Sequence, residues 1–239
     1  MRLSDAVHAS FTASRPVFTV PLYRGVMRDQ YHEQLDAIVD DLVNLTGTVR
    51  SAVASSTNAL LDADGRLAEV VIAGDAVIDE ETEAIEERAL LLLATQQPVA
   101  TDLRQLVATL RMVTDLQRMG DLSVHVAKVA RMRIPDPAVP PQLHPTIRAM
   151  AKVADSMIDA AARIVANRDV VAAAHLEDED DEMDRLRKDL FRTLLSDSWS
   201  HGVEPAIDLA LLGRYYERIG DHAVSMARRV VYLVTGELS

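Results

Sequence analysis

A seven-residue pattern occurs twice in this chain, one hundred positions apart. Asp115-Leu-Gln-Arg-Met-Gly-Asp121 is matched by Tyr215-Tyr-Glu-Arg-Ile-Gly-Asp221, so Arg118, Gly120 and Asp121 fall on Arg218, Gly220 and Asp221. Val124 and Ala127 fall on Val224 and Ala227 at the same offset, and upstream Asp75 and Asp79 correspond to Asp180 and Asp184. Self-similarity at a fixed spacing means one supersecondary unit built twice. Two copies are too few for a solenoid, so the units are expected to lie side by side.

The repeated unit reads as helical. After residue 27 the chain is rich in Ala, Leu, Val, Glu and Arg, with nine glycines in all and 4% aromatics, a composition that favours helix over strand. The interruptions set the map. Gln97-Pro98 separates two long periodic segments, and Ser200-His201-Gly202 does the same in the second half. Between the halves runs Ile134-Pro135-Asp136-Pro137-Ala138-Val139-Pro140-Pro141, which cannot be helical throughout because proline lacks the donor and clashes with the preceding turn. The reading is all-α, two homologous three-helix bundles over 27–134 and 143–236. Helices are expected near 29–55, 57–95, 98–133, 143–168, 169–197 and 202–235. Residues 1–26 have no helical period and are expected to be a disordered extension, with Met27 an alternative start.

Composition narrows the function. With 239 residues the chain can bury a core without staples, and having no cysteine it forms no disulfide and no thiolate metal site. The formal net charge of -12 argues against a nucleic-acid partner, since phosphate contacts need a basic surface. The longest apolar run near the centre, Ala89–Ala94, is far short of the ~20 residues of a membrane span. The N-terminal segment has no apolar core of a secretory signal, so a cytoplasmic location is expected.

Carboxylates interrupt the apolar stripes. Leu103, Leu106, Leu110, Val113, Gln117, Gly120, Val124 and Ala127 step by three and four along the third helix. In the sixth, Val203, Ala206, Ala210, Gly213, Glu217, Gly220, Val224, Ala227, Val231 and Val234 repeat the stepping, so Glu217 stands where an apolar residue is due. Asp221 follows at i+4, on the same side. In the second helix, Asp75 lies on the stripe of Val71, Ile78, Thr82, Ile85, Ala89 and Leu92; in the fifth, Asp180 lies on that of Leu176, Met183, Arg187, Leu190 and Leu194. Antiparallel neighbours then bring Asp75, Asp79, Gln117 and Asp121 together, and likewise Asp180, Asp184, Glu217 and Asp221. Such clusters must protonate, pair with cations or bind metal. An all-oxygen set suits hard cations. The competing reading is that Arg118 and Arg218 neutralise them. Gly120 and Gly220 imply close approach of another helix or a ligand. Met112, Met119, Met183 and Met226 are read as core filling, and His125 and His222 as satisfied polar groups. No GxSxG elbow, HExxH or Walker loop occurs.

Together, Gln96-Gln97-Pro98-Val99-Ala100-Thr101-Asp102-Leu103-Arg104 and the repeated ArgXaaGlyAsp segments resemble the PhoU family of phosphate-signalling proteins, over roughly 27–236. The resemblance implies two homologous three-helix bundles, usually dimeric and cytoplasmic. It implies a negative regulator of the phosphate-starvation response, linking the phosphate transporter through its ATPase PstB to the sensor kinase PhoR. It also implies metal ions (Mg, Mn, Fe or Zn) on Asp75, Asp79, Asp121, Asp180, Asp184, Glu217 and Asp221. Gln117 stands where the family commonly has Glu and Tyr215 where repeat 1 has Asp115, so the two sites are expected to differ, with the second richer in carboxylate. The alternative from the residues alone is a metal-dependent hydrolase acting on phosphate esters.

Overall fold

The computed structural model describes residues 20–237, with side chains from residue 29 onward. Residues 1–19, most of the segment expected as a disordered extension, lie outside the described residues; the rest of that segment, 20–26, is helical and opens α1. Six helices follow in order: α1 (Val20–Asp62), α2 (Gly65–Gln96), α3 (Ala100–Arg133), α4 (His144–Asn167), α5 (Val170–Leu194) and α6 (Val203–Thr235), with a short 3-10 turn at Pro141–Leu143. There is no strand among the described residues.

α1 runs seven residues past the expected break, and the turn into α2 is made at Ala63 and Asp64. Ala63 takes the left-handed conformation (φ 50°) and Arg168 does the same between α4 and α5 (φ 52°). Each is followed by an aspartate N-cap. Asp64 accepts from the amides of Arg66 and Leu67 at 2.9 and 3.0 Å, and Asp169 from those of Val171 and Ala172, both at 3.0 Å. The duplication therefore reaches single hydrogen bonds. The signal was Asp64-Gly65, a capping residue ahead of a glycine, inside a stretch whose apolar period hardly falters.

In each repeat all three helices pack on one another: α1, α2 and α3, then α4, α5 and α6. Between repeats α3 lies on α6 and α1 on α4, while α2 and α5 touch only their own bundle. Buried side chains of both repeats merge into one core, which takes in Ala138, Val139 and Leu143 of the proline connector. Met112, Met119, Met183 and Met226 are all buried in it. The stripes are covered mainly along their middles and less at their ends, where Leu103, Val203 and Val234 are exposed.

The two glycines sit at close helix contacts. A methyl group on Gly120 would stand 3.0 and 3.1 Å from Ile78 of α2, and one on Gly220 would stand 3.1 Å from the Met157 sulfur of α4 and 3.4 Å from Asp180. Leucine at either place overfills the contact, at a typical cost of ~1–3 kcal/mol. Gly120→Leu and Gly220→Leu are each expected to melt several degrees lower by circular dichroism. Unchanged melting in both would show that the glycines do not set these contacts.

Candidate functional site

Two carboxylate clusters face outward, one on α2 and α3, the other on α5 and α6. In the first, Asp75 and Asp121 are half-buried and Asp79 is exposed. The Gln117 amide donates to Asp79 Oδ1 at 2.9 Å, and Arg118 pairs with Asp121 at 2.9 Å. Asp75 has no hydrogen bond or ion pair among the described residues. Burial raises its carboxyl above the ordinary aspartate range, and the negative charges of Asp79 and Asp121 add to this.

In the second cluster Glu217 is buried, Asp180 and Asp184 half-buried, and Asp221 exposed. Burial again raises the Asp180 carboxyl, reinforced by Asp221, Asp184 and Glu217. The structure thus brings every carboxylate singled out in the sequence into one of two groups. Only in the second cluster does neutralisation come from residues other than the one expected. Arg118 does pair within its cluster, but Arg218 pairs with none of the described carboxylates. Instead Arg187 stands 3.2 Å from Glu217 and 4.0 Å from Asp184, Lys188 stands 3.1 Å from Asp184, and Arg214 pairs with Glu217. Arg187 was visible in advance as a charge on the α5 apolar stripe, the same anomaly that marked Glu217.

The donor chemistry of the clusters is that of a hard cation: carboxylate oxygens with no thiolate, and histidine only at the margin. As placed, no three His, Asp or Glu side chains among the described residues already form a cage. In the first cluster Asp79 accepts from the Gln117 amide and Asp121 pairs with Arg118, while Asp75 has neither a hydrogen bond nor an ion pair among the described residues. In the second cluster Glu217 and Asp184 are paired with guanidinium and ammonium groups, while Asp180 and Asp221 have no ion pair among the described residues.

The two histidines serve the contact between the repeats. His125 of α3 stacks on Tyr215 of α6, ring centres 5.4 Å apart and planes 22° from parallel. His222 of α6 donates through Nδ1 to Asp115 Oδ1 at 3.0 Å, and Arg229 donates to Asp115 Oδ2 at 2.8 Å. Asp115 is 6% exposed. The helices are antiparallel, so the position equivalent to His125 in α6 lies close to Asp115. Toward the ends Arg133 grips Asp208 at 2.6 and 3.0 Å and pairs with Glu204, while Arg104 reaches the Leu233 carbonyl at 3.4 Å. Sequence reasoning had noted Asp115 only as the residue that Tyr215 replaces. A carboxylate on the face next to the stripe carries no signal until its partner helix is known.

The architecture defines a class, an internally duplicated all-α protein with one outward carboxylate cluster per repeat. The PhoU domain profile matches twice, at residues 42–130 and 147–230. The phosphate-specific transport system accessory protein PhoU homolog 2 of Mycobacterium tuberculosis is 44% identical over 210 residues, covering 88% of this chain and 99% of that protein. PhoU homolog 1 of the same species is 40% identical over 212 residues, covering 89% and 96%. The crystal structure of PhoU from Pseudomonas aeruginosa superposes with a TM-score of 0.79 at 29% identity, over 87% of this chain and all of that one. The chain belongs to the PhoU family.

Burial alone would raise the Asp115 carboxyl, but its bonds from His222 and Arg229 outweigh that and hold it below the ordinary range. A lowered carboxyl stabilises the fold above the unfolded-state value and loses that contribution as pH falls through the folded-state value. Asp115→Asn is therefore expected to lose about 1.5–3 kcal/mol at neutral pH, the worth of hydrogen bonds to a charged group. In urea unfolding at a series of pH values, the gap from wild type should begin to close below about pH 4. A gap independent of pH would show that the charge of Asp115 contributes nothing.

Proposed function

We propose that this chain is a regulatory accessory protein of phosphate transport that acts by binding partners and does no chemistry of its own. In this reading it is a cytoplasmic negative regulator of the phosphate-starvation response and of phosphate uptake. It connects the PstB-type ATPase of a phosphate ABC transporter to a PhoR-type sensor kinase, and holds the response off while phosphate is plentiful. It acts as a homodimer, as the family resemblance implies. The observation that carries the reading is the end-to-end correspondence with curated relatives named as phosphate-specific transport system accessory proteins. A net charge of -12 suits docking on basic patches of a partner. No helix of the described residues is long and apolar enough to cross a membrane, which suits a protein that works beside a transporter.

A hard divalent or trivalent cation belongs to the same reading, held by Asp75, Asp79 and Asp121 in the first cluster. Such an ion ties two helices together and leaves a positive centre on an acidic surface. In the second cluster the carboxylates are Asp180, Asp184, Glu217 and Asp221, and the cations beside them are already engaged. Arg187, Lys188 and Arg214 face carboxylates, where a hydrolase would aim its cations at a phosphoryl group.

The test is alkaline phosphatase activity in phosphate-replete cells lacking the gene, with and without a plasmid copy. High activity that the plasmid returns to low is expected. Unchanged low activity in a strain also cleared of related genes would contradict the regulatory role. Sustained hydrolysis of phosphate esters by metal-loaded protein, abolished by Asp221→Ala, would contradict the absence of catalysis.

A further inference from the structure

Four cations and two acids stand together where α1 packs on α4, and the pairing among them is uneven. Arg50 of α1 takes both acids. It donates to the two oxygens of Asp155 at 2.5 and 2.8 Å and to Asp159 at 2.5 Å. Arg163 pairs with the other oxygen of Asp159. The bonds from Arg50 hold the Asp155 carboxyl below the ordinary aspartate range. Arg148 and Lys152, one turn apart on α4, are exposed and make no hydrogen bond or ion pair among the described residues.

Both of these cations line one groove of about 300 Å³ between α1 and α4. Val53, Leu61 and Ala151 give it apolar walls. Asn58 lines it with a side-chain amide that also has no partner among the described residues. Asp155 lines it too, but both its oxygens are occupied by Arg50. The group as a whole keeps an excess of two positive charges, in a chain whose acids outnumber its bases 37 to 25. On the far side of Lys152 a second groove holds Glu179 and Glu182; neither pairs with the lysine, and Glu182 is taken by Arg185.

The duplication shows that the fold does not require these cations. Arg50 and Asp155 lie 105 positions apart, the same offset that separates the capping residues Asp64 and Asp169. At that offset Arg148 and Lys152 correspond to Val43 and Gly47 of α1, and Asn58 to Arg163. The counterpart positions hold a valine, a glycine and an arginine already paired with Asp159, and offer no such set of free donors.

We propose that the groove between α1 and α4 binds a phosphate group through the guanidinium of Arg148, the ammonium of Lys152 and the amide of Asn58. A doubly charged phosphate cancels the excess of two charges. The guanidinium offers it a planar fork of donors, and the ammonium a compact charge. The group fills only part of the groove, and the apolar walls leave room for an organic body attached to it. Free inorganic phosphate and a phosphomonoester share this chemistry. The proposal goes beyond the regulatory reading and stands independently of it.

The test is a phosphorus NMR titration of the full chain at constant ionic strength and about pH 8, where inorganic phosphate and phenyl phosphate are chiefly doubly charged. Saturable binding is expected. Tighter binding of phenyl phosphate assigns the site to a phosphomonoester, and equal binding assigns it to free phosphate. Arg148→Gln and Lys152→Gln are each expected to weaken binding about tenfold or more, as for the loss of a hydrogen bond between charged groups. Both variants should melt as the wild type does, because neither side chain has a partner to lose. Arg111→Gln, which removes an exposed and unpaired arginine of α3, should bind as the wild type does. No saturable binding of either probe overturns the proposal. Binding that survives unchanged when Arg148 and Lys152 are both replaced, or that weakens as much in Arg111→Gln, overturns it as well. None of these results alters the alkaline phosphatase test, so this site and the regulatory reading fail separately.

Discussion

Everything in this molecule is arranged around the antiparallel contact of α3 with α6. It is where the two repeats meet, and its centre is polar. Asp115 is buried between the helices with His222 and Arg229 on its two oxygens. An isolated buried carboxylate would be costly, whereas one given two charge-assisted partners across the boundary fixes which residues of the two helices face each other. Arg133 with Asp208 near one end, and Arg50 with Asp155 and Asp159 between α1 and α4, repeat the device away from the centre. Tyr216 adds a fully buried tie between the repeats, its hydroxyl 2.7 Å from that of Thr57. Polar contacts of fixed geometry set the register, and the methionines, leucines and valines around them supply the burial.

That central contact determines where the functional groups lie. α3 and α6 each spend one face on the other and a second on the remaining helices of their own bundle. The carboxylates thus emerge where α3 leaves α2 and where α6 leaves α5. Gly120 lets Ile78 of α2 come close, and Gly220 makes room for Met157 of α4 and for Asp180 of α5. Burial, and after it the neighbouring acids, pushes Asp75 and Asp180 above the ordinary aspartate range. The two repeats answer that crowding differently. In the first, Lys128 offsets part of the charge at Asp75; in the second, Arg187, Arg214 and Lys188 pair with Glu217 and Asp184.

The helical repeat and the membership of both clusters were legible in the sequence, because each rests on spacing within one helix or on an offset between copies. The break at Ala63-Asp64 was not, since the apolar period continues on both sides of it and the turn needs only two residues. Leu103, Val203 and Val234 were read as core because periodicity says which face a residue is on, and not how fully that face is covered near a helix end. The roles of Asp115 and His222 were hidden for another reason. Each is an ordinary polar residue on its own helix, and only the docking of one repeat on the other brings them together. Arg187 is the instructive case. It stands on an apolar stripe as Glu217 does but drew no remark there, and the two turn out to be partners.

The claim that the central contact makes one cooperative body of two repeats can be tested by equilibrium unfolding in urea. Trp199 is the only tryptophan and lies between α5 and α6, so its fluorescence reports on the second repeat, while far-ultraviolet circular dichroism reports on all six helices. Coincident transitions with one midpoint and one slope are predicted, as for a single two-state unit. A fluorescence transition separated from part of the loss of helix would show that the repeats unfold independently, and would contradict the account.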